Sequence, residues 1–395
     1  MTDRRNAFKE FLQKEVAAFS EELKQVALRI WEKPELAWKE EFAAKELCAF
    51  LTGHGVETHP GLYEYPTAFR GETSGNGAGK VFAFAAEYDA LPPGHACGHN
   101  LIGAASVGAM CAASAAMKKF SIPGKLVILG TPAEESGSGK VHLLRKGVLE
   151  GVDAVMMSHP HWCTMKDTGS LAIRRYDVIF HGVASHAAGS PELGINALDA
   201  VMLLFSAVNA FRQQMPEICR IHGIVKNGGA MPNIIPAEAS CRFYLRSGSE
   251  VWMEKLDQRF REMVQGAALM TGARAELKGF STDCRGRKPN SVLDQTFLEM
   301  MADQGEKVVH TDSPGKASSD FGDFSRAIPG SHPYFGISPE SPMGAHSPDF
   351  QEAARTEQGL QGMLHAAAAL AYTACCYLTD EKMRCAVQEE FEKPE

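Results

Sequence analysis

Residues 80–100 read KVFAFAAEYDALPPGHACGHN and join an apolar run to a loop that carries reactive side chains. The run at 81–86 has the length and composition of a buried strand. An Ala-rich stretch of helical character follows at 101–120. A strand, a polar loop and a helix in this order predict one unit of an α/β fold. The loop places one thiol and two imidazoles within five positions, at His95, Cys97 and His99.

Two further segments repeat this pattern of an apolar run followed by polar side chains. GKLVILGTPAEE (124–135) ends in two acids, and DAVMMSHPH (153–161) ends in two histidines. With amphipathic helices predicted at 7–31 and 40–53, these strands favour a mostly parallel sheet. Ligands of open α/β sheets bind outside the carboxyl ends of the strands, so the polar residues fall where a site is expected.

The pattern changes after residue 169. Between 170 and 280 the predicted order is strand, helix, strand, strand, helix, strand, which is the ferredoxin-like arrangement. The predicted fold class is therefore α/β, with a mostly parallel-sheet domain built from 1–169 and 281–395. An α+β domain at 170–280 is inserted into it.

Composition limits the partners that we expect. The net charge of −8 has mixed signs without a basic cluster, which argues against nucleic acid and anionic membranes. No run of roughly 18 apolar residues suggests a membrane span. The charged N-terminal segment lacks the apolar core of a signal peptide, and the ten cysteines are irregularly spaced. We therefore expect a cytoplasmic protein with reduced thiols.

Side chains beyond the predicted strands include groups that bind metals. Cys97 and His99 are separated by one residue and form half of a site for a zinc-like ion. Glu134 and Glu135 can divide two tasks, in which one binds a metal and the other acts as a general base. Each spacing by itself more often marks a surface turn or a buried structural residue.

The set of these residues is more informative than any member. Five potential ligands suit a pair of metal ions about 3.5–4 Å apart. Asp89 can hold a ligating imidazole in its binding tautomer, or it is a simple turn residue. His95 has no assigned role. The five potential ligands are Cys97, His99, Glu135, His346 and one of His159 and His161.

Seven motifs occur in an order that resembles one enzyme family. The family is that of the dinuclear metallopeptidases, which includes aminoacylase-1, the bacterial zinc carboxypeptidases and the auxin-conjugate amidohydrolases. The resemblance covers about residues 10–375 and is strongest to the aminoacylase-1-like (Xaa-Arg) dipeptidases. Asn100 stands where most auxin-conjugate amidohydrolases have Asp. The motifs are YDALP…GHACGHN, GTPAEE, MMSHP, GVASHAAGSPELGINALDA, GGAMPNIIPAEA, SSDFGDFS and GAHSPDF.

The resemblance implies roles for individual residues. Glu134 matches the general base, and Asp89 matches the residue that orients a ligand. The wider family has a ligating histidine at the position of Glu87, so Cys97 is expected to compensate. His159 is a better match to the ligand of the HP motif than His161. The implied metal ligands are Cys97, His99, Glu135, His159 and His346.

The insert resembles the family's lid and dimerisation domain, which implies a homodimer. His186 matches a histidine that reaches the active site of the partner subunit and stabilises an oxyanion. Asn233 and Arg246 match positions that contact the carboxylate end of the substrate.

The function implied by the resemblance is metal-dependent cleavage of the amide bond in a small dipeptide or N-acyl amino acid. The closest subfamily adds a basic C-terminal residue. Two divalent metal ions are implied, with zinc favoured by the thiol and manganese or cobalt as alternatives. Three other hypotheses stay open: an amidohydrolase or amide-forming enzyme for a specialised acyl substrate, an inactive scaffold homologue, and a mononuclear protein with a redox-active Cys97.

Overall fold

A computed structural model describes residues 2–311, 313, 315 and 317–394. It consists of two compact units. The first comprises Met1–Gly169, Arg287–Gly315 and Asp320–Glu395, and the second comprises Ser170–Gly286 and Lys316–Ser319.

The strands and helices alternate through most of the chain. The strands are β1 (Glu57–Leu62), β2 (Tyr65–Ser74), β3 (Val81–Ala86), β4 (Lys125–Gly130), β5 (Ala154–Met156), β6 (His159–His161), β7 (Ala172–His181), β8 (Cys219–Asn227), β9 (Glu238–Ser247), β10 (Arg274–Gly279), β11 (Gly330–Ser331) and β12 (Tyr334–Gly336). The helices are α1 (Thr2–Ala18), α2 (Ser20–Glu32), α3 (Glu41–Gly53), α4 (His99–Lys119), α5 (Glu134–Gly137), α6 (Gly139–Arg145), α7 (Ala197–Phe211), α8 (Glu250–Thr271), α9 (Ser291–Asp303), α10 (Phe321–Ala327), α11 (Pro348–Ala353), α12 (Glu357–Thr379) and α13 (Glu381–Glu392).

The main sheet of the first unit has the order β1-β2-β4-β3-β5-β11. Strands β4, β3, β5 and β11 are parallel, which confirms the predicted α/β class. Helices cover both faces of β3, because Phe82 and Phe84 pack into the cluster that contains α4 and α12, whereas Ala83 and Ala85 pack into the cluster that contains α10. Burial on both faces explains the continuous apolar run of this strand.

Helix α4 is the central helix of the first unit. By length and composition alone it is the one described helix that could cross a membrane, with a mean hydropathy of 1.4. The expectation that no segment is apolar enough is therefore wrong. However, 94% of its apolar window is buried inside the protein, as is usual for a core helix.

Two features of the first unit differ from the sequence-based expectation. The predicted strand at 153–161 is interrupted after Met156, where the chain leaves the main sheet, and β6 pairs in parallel with β12 instead. The antiparallel hairpin of β1 and β2 forms the edge of the sheet. Strand β1 is mostly exposed, so it shows no apolar periodicity that a sequence pattern could reveal.

The second unit is a four-stranded antiparallel sheet of order β10-β7-β9-β8, with α7 and α8 against it. This is the predicted strand–helix–strand–strand–helix–strand order. Asn196 and Ser249 accept hydrogen bonds from backbone N–H groups in the first turns of α7 and α8 and so begin both helices. The unit continues to Gly286, since Ile173 and Cys284 exchange backbone hydrogen bonds.

Candidate metal centre

Most of the centre is built where the chain leaves β3, β4 and β5. His99 opens α4, and Gly98 precedes it with φ +73°, a conformation that favours glycine. A Cβ at Gly98 would lie 2.7 Å from Cγ of Pro160. Only glycine therefore lets the loop of Cys97 approach β6 this closely.

Cys97, His99 and His159 form the first group of potential ligands, with one ligand atom of each within 4.8 Å of the others. Sγ of Cys97 is 3.6 Å from Nε2 of His159. Nδ1 of His159 lies 2.7 Å from the carbonyl oxygen of Pro160, which directs Nε2 towards the thiol. His161 contacts Cys163 and belongs to no such group within the described chain.

Cys97 also belongs to a second group with Glu135 and His346. Nε2 of His346 is 3.4 Å from Oε1 of Glu135. His346 has φ +69°, and its N–H donates to the carbonyl of Ala96 at 2.7 Å. An L-residue held in the left-handed region by a tertiary hydrogen bond is typical of a functional site.

His99, Glu134 and Glu135 form a third group, which Asp89 holds in place. Oδ1 of Asp89 is 3.0 Å from Nδ1 of His99, and Oδ2 accepts the N–H of Glu135 at 2.9 Å. Ala133, at φ +62°, turns the chain directly before the two acids. Asp89 thus fixes the imidazole and the glutamate loop together.

This donor set fits metal ions. Nε2 of His99 is buried without a hydrogen-bond partner, although buried polar atoms normally have one. It faces Oε2 of Glu87 at 3.5 Å and Oε1 of Glu135 at 3.8 Å. A cation among these atoms would supply the missing interaction.

The pKa values of the side chains in the centre are shifted in different directions. Burial, reinforced by Glu135, raises the pKa of the Cys97 thiol, so a thiolate there requires a cation. Burial, together with His99, holds the pKa of His159 well below its usual range, which keeps its nitrogen lone pair free. Burial of the Glu134 carboxylate, with Glu87 and Glu135 nearby, raises its pKa well above the usual range. Such a carboxyl group is suited to accept and return a proton.

A fourth group contains three acids, namely Glu87, Glu134 and Asp320. The side chain of Lys140 is fully buried beside it, with Nζ 2.5 Å from Oε1 of Glu87 and 2.7 Å from Oδ1 of Asp320. The position at which the wider family has a histidine therefore carries a carboxylate that is paired with a lysine.

The predicted residues of the second unit are more accessible. His186 and Asn233 are exposed on adjacent segments, where the N–H of Ala187 donates to the carbonyl of Asn233 at 3.0 Å. Arg246 lies on β9, where its guanidinium donates to Nε2 of His222 at 3.3 Å and to the hydroxyl of Ser318 at 2.8 Å.

Residues 83–371 match peptidase family M20/M25/M40. This chain belongs to that family. The match covers all four segments that carry the candidate ligands and the whole of the second unit. The M20 chain described here is thus an enzyme of the metallopeptidase and amidohydrolase class, as the sequence motifs predicted.

Relatives of this M20 peptidase support the assignment. The Xaa-Arg dipeptidases of Mus musculus and Homo sapiens are each 36% identical to it, and the alignments cover 94% of this chain and 89% of theirs. The crystal structure of a dinuclear metal-binding M20 peptidase from Bacillus subtilis superimposes with a TM-score of 0.69 at 22% identity, covering 91% of this chain and 99% of that one. The solved structure shows that the two proteins share a fold.

Several side chains of this M20 centre were not assigned by sequence reasoning. His332 is 1% exposed, and its ring stacks on that of His159 with centroids 5.3 Å apart. Buried Glu40 accepts the N–H groups of Trp38 and Ala133. Asp320 lies inside the motif SSDFGDFS, and Lys140 lies five residues after the motif GTPAEE, although no role for either followed from the sequence.

Two other residues raised by the sequence lie apart from the candidate ligands. His95 is buried and belongs to none of the potential ligand groups within the described residues. The side-chain amide of Asn100 donates to the carbonyls of Ala27 and Ala354. A carboxylate could not donate these bonds, which explains why an amide suits this position.

Proposed function

We propose that this M20 peptidase is a dinuclear metal-dependent dipeptidase or amidohydrolase. Its substrate is a dipeptide or N-acyl amino acid with a free C-terminal carboxylate. The observation that carries the proposal is that Cys97 and Glu135 each belong to two of the potential ligand groups, so that neighbouring cations can share a ligand set. An inactive scaffold is not favoured, because a candidate base and five candidate ligands are all present.

The proposed ions are two divalent metals, with zinc first and manganese or cobalt as alternatives. A thiol among the donors supports a borderline-soft ion. The raised pKa of Cys97 supports a linkage in which binding of the metal releases the thiol proton. When bound, such ions would polarise the scissile carbonyl and make water a nucleophile near neutral pH.

Glu134 is proposed as the general base. It would take the proton of the attacking water and return it to the leaving amine. Glu134 follows Ala133 in a left-handed turn, and Asp89 binds the N–H of the next residue. This support fixes the carboxylate before a substrate arrives, which is what efficient proton transfer needs.

The second unit is proposed to bind the carboxylate end of the substrate through Arg246 and Asn233. The names of the mouse and human relatives suggest a basic C-terminal residue, such as arginine. Nδ1 of His186 accepts the N–H groups of Ala188 and Gly189, which leaves Nε2 as a hydrogen-bond donor. We propose that this donor stabilises the oxyanion in a partner subunit.

A homodimer through the second unit would bring His186 to that position. Strand β8 is the edge of its sheet, and Ile224 and Val225 on it are 63% and 50% exposed. Exposed apolar edge strands favour pairing with another chain. All ten cysteines are free, which supports a reducing compartment, and we propose the cytoplasm.

The decisive experiment is a turnover screen of dipeptides and N-acyl amino acids, combined with metal analysis of the purified protein. We expect about two divalent ions per chain and hydrolysis that chelator abolishes and added metal restores. Dipeptides ending in Arg or Lys should be preferred over those ending in Glu. A metal-free sample with full activity would contradict the proposal.

A further inference from the structure

Lys140 is a buried cation that the proposed chemistry does not use. Its side chain is 0% exposed, and its ammonium contacts Glu87 and Asp320. Its own N–H donates to Oδ2 of Asp320 at 2.9 Å. Both oxygens of Asp320 are therefore engaged by the same lysine. A lysine is almost never buried this completely without charged partners.

The acids around Lys140 have the spacing of a metal site. Oxygen atoms of Glu87, Glu134 and Asp320 lie within 4.8 Å of one another. Carboxylates at this spacing in a low-dielectric interior repel one another and attract any available cation. The ammonium of Lys140, which bonds two of the three, supplies that positive charge from within the chain.

The acidic triplet of Glu87, Glu134 and Asp320 is continuous with the candidate metal centre. Oε1 of Glu87 is held by Lys140, while Oε2 lies 3.5 Å from Nε2 of His99. Glu134 belongs both to the triplet and to the group formed with His99 and Glu135. A further divalent ion in the triplet would therefore compete for the candidate base.

We propose that Lys140 is a positioning residue whose ammonium acts as a fixed internal cation in this triplet. It limits the centre to two metal ions and keeps Glu134 available for proton transfer. The inference rests on the proposed dinuclear function. Unlike a metal, the ammonium cannot dissociate or be removed by chelator, so the triplet keeps this compensating positive charge while the metals exchange.

The test is the metal count of the variant Lys140→Met, which keeps the length of the side chain and removes its charge. Protein equilibrated with excess Mn²⁺, an ion that accepts carboxylate ligands, is desalted and analysed by mass spectrometry. We expect one more Mn²⁺ per chain than in the wild type and at least a tenfold lower kcat with little change in KM. Lys146→Met, at a half-exposed lysine paired with Glu64, is the matched control and should match the wild type.

A second variant separates charge from packing. Glu87→Gln combined with Lys140→Met restores the net charge of the cluster, and this double variant should fold and bind the wild-type number of ions. Equal metal counts in the wild type and folded Lys140→Met would overturn the inference while leaving the dinuclear function standing. A wild type that binds no metal would instead refute the proposed function.

The double variant also decides the case in which Lys140→Met does not fold. If the double variant then folds with the wild-type ion count, the charge of Lys140 is what the cluster needs. If it fails to fold or binds an extra ion, the internal-cation role is wrong.

Discussion

In the first unit His99 is 1% exposed and held by Asp89, whereas in the second unit His186 is exposed and its Nδ1 accepts N–H groups only two and three residues further along the chain. The same contrast separates the other predicted residues. Within the first unit Cys97 shares one potential ligand group with His159 and another with Glu135, while in the second unit Asn233 is exposed and Arg246 is partly exposed.

The contrast indicates two kinds of functional residue. Those of the first unit are pre-organised by their own chain, through hydrogen bonds that exist before any ligand binds. Those of the second unit are exposed or partly exposed, and we propose that they contact a substrate or a partner subunit. Changes in the first unit should therefore alter metal content or kcat, whereas changes at Asn233 and Arg246 of the second unit should alter KM with the metal content intact.

The largest effect is expected for Glu134→Gln. Loss of the proposed base should lower kcat by about 10²–10⁴, because general acid–base catalysis contributes that much. The metal content should stay at the wild-type level, measured on the same sample as turnover. Glu150→Gln, at an exposed acid of the same unit, is the control. Retained activity in Glu134→Gln would show that another group is the base.

A comparison of His159→Gln with His161→Gln sharpens the assignment of the ligand. Nε2 of His159 faces Cys97, whereas Nδ1 of His161 contacts Cys163. Loss of His159 should weaken binding of one metal by about 100-fold or more, since even outer-shell changes cost 10–100-fold. His161→Gln should bind Zn²⁺ with the affinity of the wild type. Isothermal titration of the metal-free variants with Zn²⁺ measures both affinities. Weaker binding in His161→Gln and wild-type binding in His159→Gln would show that His161 is the ligand.

Glu40 predicts a pH dependence of stability in the first unit. Burial, with Asp89 nearby, raises the pKa of Glu40 from 4.5 to about 7 despite the N–H groups of Trp38 and Ala133. Between pH 4.5 and about 7, Glu40 therefore keeps its proton in the folded protein but has lost it in the unfolded chain. The stability supplied by this proton is complete below pH 4.5 and is lost as pH rises through 7, by about 3 kcal/mol.

Urea unfolding of the metal-free protein between pH 4.5 and 8 tests this expectation. From pH 4.5 to 8 the free energy of unfolding of the wild type should fall by about 3 kcal/mol more than that of Glu40→Gln, since glutamine keeps a hydrogen-bond acceptor without ionising. Glu41→Gln changes the exposed neighbouring acid, and its free energy of unfolding should depend on pH as that of the wild type does. Parallel curves for all three proteins would show that Glu40 ionises as freely in the folded state.

The smallest effect is expected for Arg246→Met in the second unit. Arg246 is partly exposed, so loss of its charged hydrogen bond to a substrate carboxylate should cost about 1.5 kcal/mol, and KM should rise by roughly tenfold. Metal content should be unchanged, and Arg274→Met, at an exposed position of β10, is the control. A loss of bound metal in Arg246→Met would break the contrast between the two units.

Local sequence patterns predicted the elements that depend on near neighbours. The apolar run at 81–86 became β3, and the Ala-rich stretch that follows it became α4. The order of strands and helices in the insert also followed from short-range signals. The interruption between β5 and β6 did not, because it depends on the backbone of Ser331 and Pro333, which bonds Met157 and His159 from far along the chain.

The metal-binding character of the centre was determined by the sequence itself, since the thiol, imidazoles and carboxylates follow strands whose ends meet at one edge of a parallel sheet. Only the tertiary structure distinguished His159 from His161 by geometry and placed Lys140 between Glu87 and Asp320. The physical reason is distance along the chain. A pattern reports which side chains share a face of an element, but a buried charge finds its partner through the packing of segments as much as 180 residues apart.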